Sequence, residues 1–130
     1  MTEQVVVDAS VLVDLLAGTD RAAAVRAALT GTVMHAPAHF DAEVLSALGR
    51  LQRDGHLTVD RVDDAIARLV RAPITRHPLK SLVPGAWARR DGFRLADALY
   101  VELAAQTGYP LLSTDARLVR NWPAARGIGT

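Results

Sequence analysis

The sequence predicts an α/β protein, a single domain with a central parallel sheet of four to five short strands and helices on both faces. Short apolar runs rich in β-branched residues, of which Val5-Val6-Val7 is the clearest, are typical of buried parallel strands. Segments with helical spacing of apolar residues separate these runs, and such alternation indicates a parallel sheet covered by helices. The length of 130 residues suits one domain, here residues 1–130.

The composition excludes several classes of protein. Half of the residues are hydrophobic and 22% are charged, which is ordinary for a soluble globular domain. The absence of cysteine excludes disulfides, thiolate metal sites and cysteine nucleophiles, and fits a cytoplasmic location. The first apolar run is short and is interrupted by Asp8, so we expect neither a signal peptide nor a membrane span. Arginine supplies all but one of the basic residues, which together with abundant alanine indicates a coding bias.

The first part of the chain is predicted to form a strand and two helices. Ser10 is the expected N-cap of the first helix, and Gly18 ends that helix. Thr19 or Asp20 is expected to cap the second. The predicted elements are a strand at residues 4–8 and helices at 10–17 and 20–29.

The middle of the chain is predicted to contain two strands separated by two long helices. Pro37 is expected to open the first of these helices and Thr58 to cap the second. Asp60, Asp63 and Asp64 lie in the first turns of the second helix, where the helix dipole favours negative charge, so we interpret them as solvated residues. The predicted elements are strands at 32–35 and 73–76 and helices at 37–53 and 58–71.

The last part of the chain is predicted to end the alternation. Residues 78–92, bracketed by prolines, suit only one or two helical turns. A regular apolar spacing predicts a helix at 94–106, which Gly108 ends. A strand at 110–113, a short helix containing Leu118 and an edge strand in the tail to Thr130 complete the expected fold.

Four carboxylates in apolar surroundings are the strongest functional signal. Asp8 ends one predicted strand and Asp115 follows another, whereas Glu43 and Asp97 lie early in predicted helices. The carboxyl ends of parallel strands and the starts of the helices that follow them share one edge of the sheet, where α/β proteins bind ligands. We therefore expect the four side chains to converge in one pocket. For Asp8 and Asp115 the alternative is a role as simple helix caps.

Such a cluster of like charges favours a divalent cation. Carboxylates a few ångströms apart repel one another, and some would bind protons instead. Mg²⁺ and Mn²⁺ prefer oxygen ligands, and Mg²⁺ is commonly held by one or two carboxylates together with substrate phosphates. This ligand set predicts phosphoryl-transfer chemistry with a metal-activated water.

Four stretches of the sequence together resemble a PIN domain, and the chain is most similar to the VapC-type toxins of bacterial toxin–antitoxin pairs. The stretches are Val-Val-Asp8-Ala-Ser10, the segment around Glu43, Leu95-Ala-Asp97-Ala-Leu-Tyr100, and Leu112-Ser-Thr114-Asp115-Ala-Arg-Leu118. The resemblance covers essentially the whole chain and is weakest over residues 55–92. It implies a Mg²⁺- or Mn²⁺-dependent endoribonuclease that forms a homodimer and is inhibited by a VapB-type antitoxin, in a heterotetramer or a larger complex.

The resemblance also implies residue roles. Asp8, Glu43, Asp97 and Asp115 fall on the acidic metal-binding and catalytic positions of the family, of which the position of Asp115 varies most. Ser10 and Thr114 fall on the small hydroxyl positions that support the ligands. Independently of the resemblance, the arginines near Asp97 and Asp115 suit a rim that binds RNA phosphates, although a solvated basic face is an equally good interpretation. These arginines are Arg89, Arg90, Arg94, Arg117 and Arg120.

Other functions remain open at this point. A haloacid-dehalogenase-type phosphatase needs a second Asp two residues after the first, where this chain has Ser10, and a response-regulator receiver needs an acidic pair at the same place. A PIN-fold RNA-processing nuclease outside a toxin–antitoxin pair, or a PIN fold kept only for binding, also fits. His35 and His39 have zinc-like spacing, but Pro37 interrupts a common helical face. Surplus apolar positions in the helices at 20–30, 38–53 and 58–71 predict a protein interface.

Overall fold

The chain alternates between strands and helices almost from end to end. The computed structural model describes residues 2–129, so Met1 and Thr130, the outermost residues of the predicted domain, lie outside the described part. The strands are β1 (Glu3–Val7), β2 (Thr32–Pro37), β3 (Ile74–His77), β4 (Leu111–Ser113) and β5 (Ala125–Gly127). The helices are α1 (Ala9–Ala17), α2 (Ala22–Leu29), α3 (Phe40–Arg53), α4 (Val59–Arg71), α5 (Val83–Ala88), α6 (Leu95–Thr107) and α7 (Ala116–Asn121).

The five strands form one parallel sheet in the order β3-β2-β1-β4-β5. β1 lies at the centre, and Val5, Val6 and Val7 are each 0% exposed. Because successive side chains of a strand point to opposite faces of the sheet, complete burial of all three shows that both faces are covered. This confirms the predicted fold class, and β5 is the edge strand expected in the tail.

Helix α6 and helix α1 position the functional residues against this sheet. α6 packs against β1, β2 and β4, and α5 packs on α6. α1, which directly follows Asp8 at the end of β1, contacts α2, α3 and α4. Gly18 and Gly108 take left-handed conformations at the ends of α1 and α6, with φ of 69° and 76°, which lets both helices stop where glycine was expected to end them.

Two predicted helix starts were wrong. Helix α1 begins at Ala9 with Asp8 as its N-cap, because the Asp8 carboxylate accepts a hydrogen bond from the Val11 amide; Ser10 lies inside the helix. Pro37 belongs to β2, where it is paired with His77, and α3 begins only at Phe40. A residue that precedes proline disfavours helical backbone, so Ala36 continues the strand.

The predicted caps had mixed outcomes in α2 and α4. Thr58 caps α4 as expected by accepting a hydrogen bond from the Arg61 amide. Helix α2 has Arg21 at its N-cap position without a side-chain hydrogen bond. Thr19 instead accepts a hydrogen bond from the Arg21 amide, in the turn that precedes the helix.

Candidate active site

The carboxyl edge of the sheet brings Asp8 and Asp115 side by side. Val7, the last residue of β1, is paired with Leu112 of β4, and the Asp8 amide donates to the Leu112 carbonyl at 3.3 Å. The chain therefore leaves two neighbouring parallel strands at the same level, and each strand is followed by an acidic residue that starts a helix. Both aspartates also act as helix caps, so the capping role and a site role are compatible.

Asp8 is buried and is held by two hydroxyl groups. Ser10 Oγ donates to Asp8 Oδ1 at 2.5 Å, and Ser113 Oγ donates to Asp8 Oδ2 at 2.6 Å. Burial raises the pKa of the Asp8 carboxyl to about 6, and the negative charge of Asp115 adds to this rise, whereas the two serine hydroxyls and the Val11 amide oppose it. A nearby positive charge would therefore stabilise the ionised form of Asp8.

The same two serines connect Asp8 to the segment after β4. Ser10 Oγ accepts a hydrogen bond from the Thr114 amide at 3.1 Å, and Ser113 Oγ accepts one from the Asp115 amide at 2.9 Å. Ser10 thus joins the Asp8 carboxylate to the backbone of Thr114. Thr114 contributes its backbone amide, and the hydroxyl that reaches Asp8 from this segment belongs to Ser113, which the sequence analysis missed.

Glu43 reaches the site from the first turn of α3. Its Oε1 accepts a hydrogen bond from the Tyr100 hydroxyl at 2.6 Å and lies 3.4 Å from His39 Nε2. Burial raises the pKa of the Tyr100 hydroxyl far above its usual value, and the adjacent Glu43 raises it further, so Tyr100 stays protonated as a donor. Tyr100 was not predicted, although it follows Asp97 by three residues and therefore lies on the same face of α6.

Asp97 lies in the first turn of α6 beside an arginine. Arg94 Nε donates to Asp97 Oδ2 at 3.1 Å, and the Arg94 side chain is 66% exposed while that of Asp97 is 17% exposed. The hydrogen bond from Arg94 to Asp97, together with the charges of Asp97, Asp115 and Glu43, raises the pKa of the Arg94 guanidinium. Arg94 therefore supplies a positive charge beside Asp97 on a largely exposed side chain.

The four predicted carboxylates line one cavity of about 290 Å³, which we call the acidic cavity. Two arginines also line this cavity, Arg94 and the unpredicted Arg50, so carboxylates outnumber guanidinium groups by two. Within residues 2–129, no three acidic, histidine or cysteine side chains lie close enough together to form a complete metal site. The oxygens of the four carboxylates instead accept hydrogen bonds from other groups of the protein. The full lining is Asp8, Ala9, Ser10, Val13, Glu43, Ala47, Arg50, Arg94, Asp97, Tyr100 and Asp115.

A second cavity of about 280 Å³, which we call the basic cleft, adjoins the acidic cavity. The two cavities share Arg94 and Asp97, and three of the predicted rim arginines, Arg90, Arg94 and Arg117, line the basic cleft. Arg89 and Arg120 do not line either cavity. Arg89 pairs with Glu102 at 3.1 Å and lies over the ring of Trp122, which directs its charge elsewhere.

A third cavity, the apolar groove, lies on the other side of the start of α6. Its volume is about 360 Å³. Trp87 is 58% exposed there, and Val83 and Leu95 are about as exposed. Large apolar side chains gathered on a surface in this way mark interaction sites. The groove is lined by His39, Val83, Ala86, Trp87, Leu95, Ala96 and Leu99. It lies on α5 and α6 and the start of α3, whereas the interface was predicted from the residues of α2, α3 and α4.

Comparison with known proteins places the chain in a family. Residues 5–121 match the PIN domain family. The chain is 66% identical to Ribonuclease VapC3 of Mycobacterium tuberculosis over 128 residues, which cover 98% of this chain and 93% of that relative. It is 35% identical to Ribonuclease VapC12 of the same organism over 90% of this chain and 91% of the relative. The chain therefore belongs to the PIN-domain family and, within it, to the VapC-type ribonucleases.

Solved structures support the fold. The crystal structure of PAE2754 from Pyrobaculum aerophilum matches with a TM-score of 0.67 and 23% identity over 95% of this chain and 82% of that chain. Mycobacterium tuberculosis VapC20, described as a toxin that cleaves the sarcin-ricin loop, matches with a TM-score of 0.68 and 18% identity over 89% of this chain and 93% of that one. These findings confirm the PIN resemblance and do not favour the phosphatase and receiver alternatives. Between residues 2 and 129, no helix is long and apolar enough to span a membrane.

Proposed function

We propose that this protein is a metal-dependent endoribonuclease, the toxin of a VapBC-type toxin–antitoxin pair. The observation that carries the proposal is the convergence of Asp8, Glu43, Asp97 and Asp115, from four separate segments, on one cavity that adjoins a basic cleft. The names of the ribonuclease relatives agree with it. The VapC relatives do not favour a PIN-fold nuclease that acts outside a toxin–antitoxin pair.

The donors that line the acidic cavity suit Mg²⁺ or Mn²⁺. All four proposed ligands are carboxylates, the hard oxygen donors that both cations prefer, and their charge exceeds that of the two arginines beside them. A bound cation would neutralise phosphate charge and lower the pKa of the attacking water. Because Oδ2 of Asp97 accepts a hydrogen bond from Arg94, that arginine must move for this oxygen to become a ligand.

Other residues of the chain position the carboxylates and bind the RNA backbone. Ser10 and Ser113 hold both oxygens of Asp8 in place, and Tyr100 holds one oxygen of Glu43. Arg90, Arg94 and Arg117 line the basic cleft, where guanidinium groups bind phosphates of an RNA strand that continues past the cleavage position. The substrate is accordingly expected to be single-stranded or loop RNA, whose backbone can enter both cavities.

The expected partners are an RNA substrate, a second copy of the chain and a VapB-type antitoxin. The apolar groove is an exposed surface that suits an apolar segment of a protein partner. It lies next to the acidic cavity, because Ala96 lines the groove and Asp97 lines the cavity. A partner bound there would sit beside the entrance for RNA, which suits an inhibitor.

The experiment that tests this function is cleavage of a panel of structured RNAs followed by end-group analysis. Internal cleavage with 5′-phosphate and 3′-hydroxyl ends is expected, since a water nucleophile does not need the RNA 2′-hydroxyl. EDTA should stop the reaction and Mn²⁺ should restore it. Cleavage that persists in EDTA, or that leaves 2′,3′-cyclic phosphates, would contradict the proposed roles of all four carboxylates. Binding of the protein encoded immediately upstream distinguishes a toxin from a nuclease that acts alone.

A further inference from the structure

Glu43 is connected to α6 by a set of side-chain contacts. The Tyr100 hydroxyl donates to Glu43 Oε1 at 2.6 Å. His39 Nε2 lies 3.0 Å from the Ala96 carbonyl and 3.4 Å from the same Glu43 oxygen. The rings of His39 and Tyr100 pack with their centroids 4.7 Å apart. The start of α3 is thereby joined to the first turns of α6, which also carry Asp97.

The burial of Tyr100 and Glu43 shows which of the two side chains holds the other in place. Tyr100 is 1% exposed, and its ring is enclosed by the core. The Glu43 side chain is 33% exposed and has three rotatable bonds of its own. A buried tyrosine has only two side-chain torsions and little room to turn. The hydroxyl of Tyr100 is therefore the fixed point, and the Glu43 carboxylate is the group that it restrains.

The contacts with Glu43 also select one of its oxygens. Both Tyr100 and His39 approach Oε1, and Glu43 itself lines the acidic cavity. A carboxylate held through one oxygen has its orientation set, so its other oxygen is presented from a defined position. Hydrogen bonds of this kind, made to a metal ligand by a neighbouring residue, commonly change metal affinity or activity by roughly 10- to 100-fold.

We propose that Tyr100 is a positioning residue that orients the Glu43 carboxylate for a divalent cation in the acidic cavity. His39 packs against the ring of Tyr100 and helps to hold that ring in place. This inference rests on the proposed function, because it assigns Tyr100 a part in the same metal site. Tyr100 acts through Glu43, so its removal weakens cation binding without removing a ligand. The effect of losing the hydroxyl consequently depends on the presence of the Glu43 carboxylate.

The test compares Tyr100→Phe with Tyr109→Phe, a matched removal of the hydroxyl from the other tyrosine, which packs on His35 instead of Glu43. Mn²⁺ binding to RNA-free protein is measured from the electron paramagnetic resonance signal of free Mn²⁺. Tyr100→Phe is expected to weaken Mn²⁺ binding by roughly tenfold and to raise the half-saturating Mn²⁺ for RNA cleavage by a similar factor. Saturating Mn²⁺ should restore most of the cleavage rate. Tyr109→Phe should bind Mn²⁺ like the unchanged protein.

A double-mutant cycle with Glu43→Gln separates positioning from a general structural role. If Tyr100 acts through Glu43, then Tyr100→Phe added to Glu43→Gln should weaken Mn²⁺ binding no further. Additive losses would overturn the proposal, and so would a lower thermal stability of Tyr100→Phe with unchanged Mn²⁺ affinity. If the unchanged protein binds Mn²⁺ and cleaves RNA while Tyr100→Phe does the same, only the positioning role is lost. If the unchanged protein neither binds Mn²⁺ nor cleaves RNA, the proposed function fails first and this inference falls with it.

Discussion

The acidic cavity and the apolar groove lie on two sides of the same helix start but are built in opposite ways. Leu95, Ala96 and Leu99 of α6 line the groove, whereas Asp97 and Tyr100 line the cavity. In the cavity, a hydroxyl or guanidinium group of the same chain already binds Asp8, Glu43 and Asp97. In the groove, large apolar side chains face solvent.

This difference indicates two kinds of occupant. Asp8 and Glu43, which the buried Ser113 and Tyr100 hold in place, are suited to a small ion and to chemistry, because their geometry is set before anything binds. Exposed apolar side chains gain free energy only when another apolar surface covers them. The helix thus separates a proposed reaction site from a proposed docking surface within a few residues, and each can be altered without the other.

The largest expected effect comes from removing one carboxylate charge in the acidic cavity. Asp97→Asn keeps the size and the hydrogen-bonding capacity of the side chain but removes a proposed ligand charge. Cleavage should fall by about 10²- to 10³-fold, the scale of losing one group that stabilises developing charge. Initial rates on a single RNA measure this. The control is Asp63→Asn at an exposed position of α4, and equal losses in both variants would mean that the cavity has no special part in cleavage.

The next effect concerns cation binding to the folded protein. Mn²⁺ at a hundredfold excess over its Kd should stabilise the folded state by about 2.7 kcal/mol, which raises Tm by roughly 5–10 °C. The gain should shrink in the double variant Asp8→Asn/Asp97→Asn, since two of the four carboxylates in the cavity then carry no charge. Thermal unfolding with and without Mn²⁺ measures it, and an equal gain in the double variant would show that the cation binds elsewhere.

A third prediction uses the burial of Asp8. Its pKa is raised by burial to about 6 in the folded protein, while the unfolded chain loses the same proton near its ordinary pKa of 3.8. The folded state therefore holds an extra proton between these values, and the stability linked to it is lost as the pH rises through about 6. Asp8→Asn does not titrate, so its stability relative to the unchanged protein should increase by about 2 kcal/mol from acid to neutral pH.

Urea unfolding in EDTA at about pH 4.5 and about pH 7.5 measures this change. EDTA is needed because a bound cation would favour the ionised carboxylate and hide the effect. The exposed residue Asp63 again provides a control, since Asp63→Asn should show no such trend. A pH-independent difference between Asp8→Asn and the unchanged protein would mean that Asp8 stays ionised throughout.

The smallest predicted effect is expected in the apolar groove. Trp87→Ala should weaken self-association or antitoxin binding by at least about tenfold, because exposed tryptophans often anchor protein interfaces. Mn²⁺ affinity should remain unchanged, since Trp87 is not among the residues that line the acidic cavity. Analytical ultracentrifugation and titration with the upstream-encoded protein measure the two associations. If Trp87→Ala altered Mn²⁺ affinity and left both associations intact, the two regions would not have the separate roles proposed here.

The sequence by itself determined the fold class and the level at which the four acidic residues lie. Strand β1 ends at Val7, directly before Asp8, and β4 ends at Ser113, two residues before Asp115. Parallel pairing of the two strands alone therefore brings both aspartates to the same edge. Glu43 and Asp97 were placed by their positions in the first turns of helices. These features depend on local periodicity and on strand and helix ends, which short stretches of sequence contain.

Only the tertiary structure decided which side chains contact these acids. Ser113 instead of Thr114 reaches Asp8, because the register of β4 beside β1 directs that hydroxyl toward the carboxylate. Arg89 reaches Glu102 because α5 packs on α6, and Tyr100 of α6 meets Glu43 at the start of α3. The apolar groove forms from residues 83–99 and His39, which no periodicity connects. Contacts between distant segments depend on register and packing, and a local pattern contains no information about either.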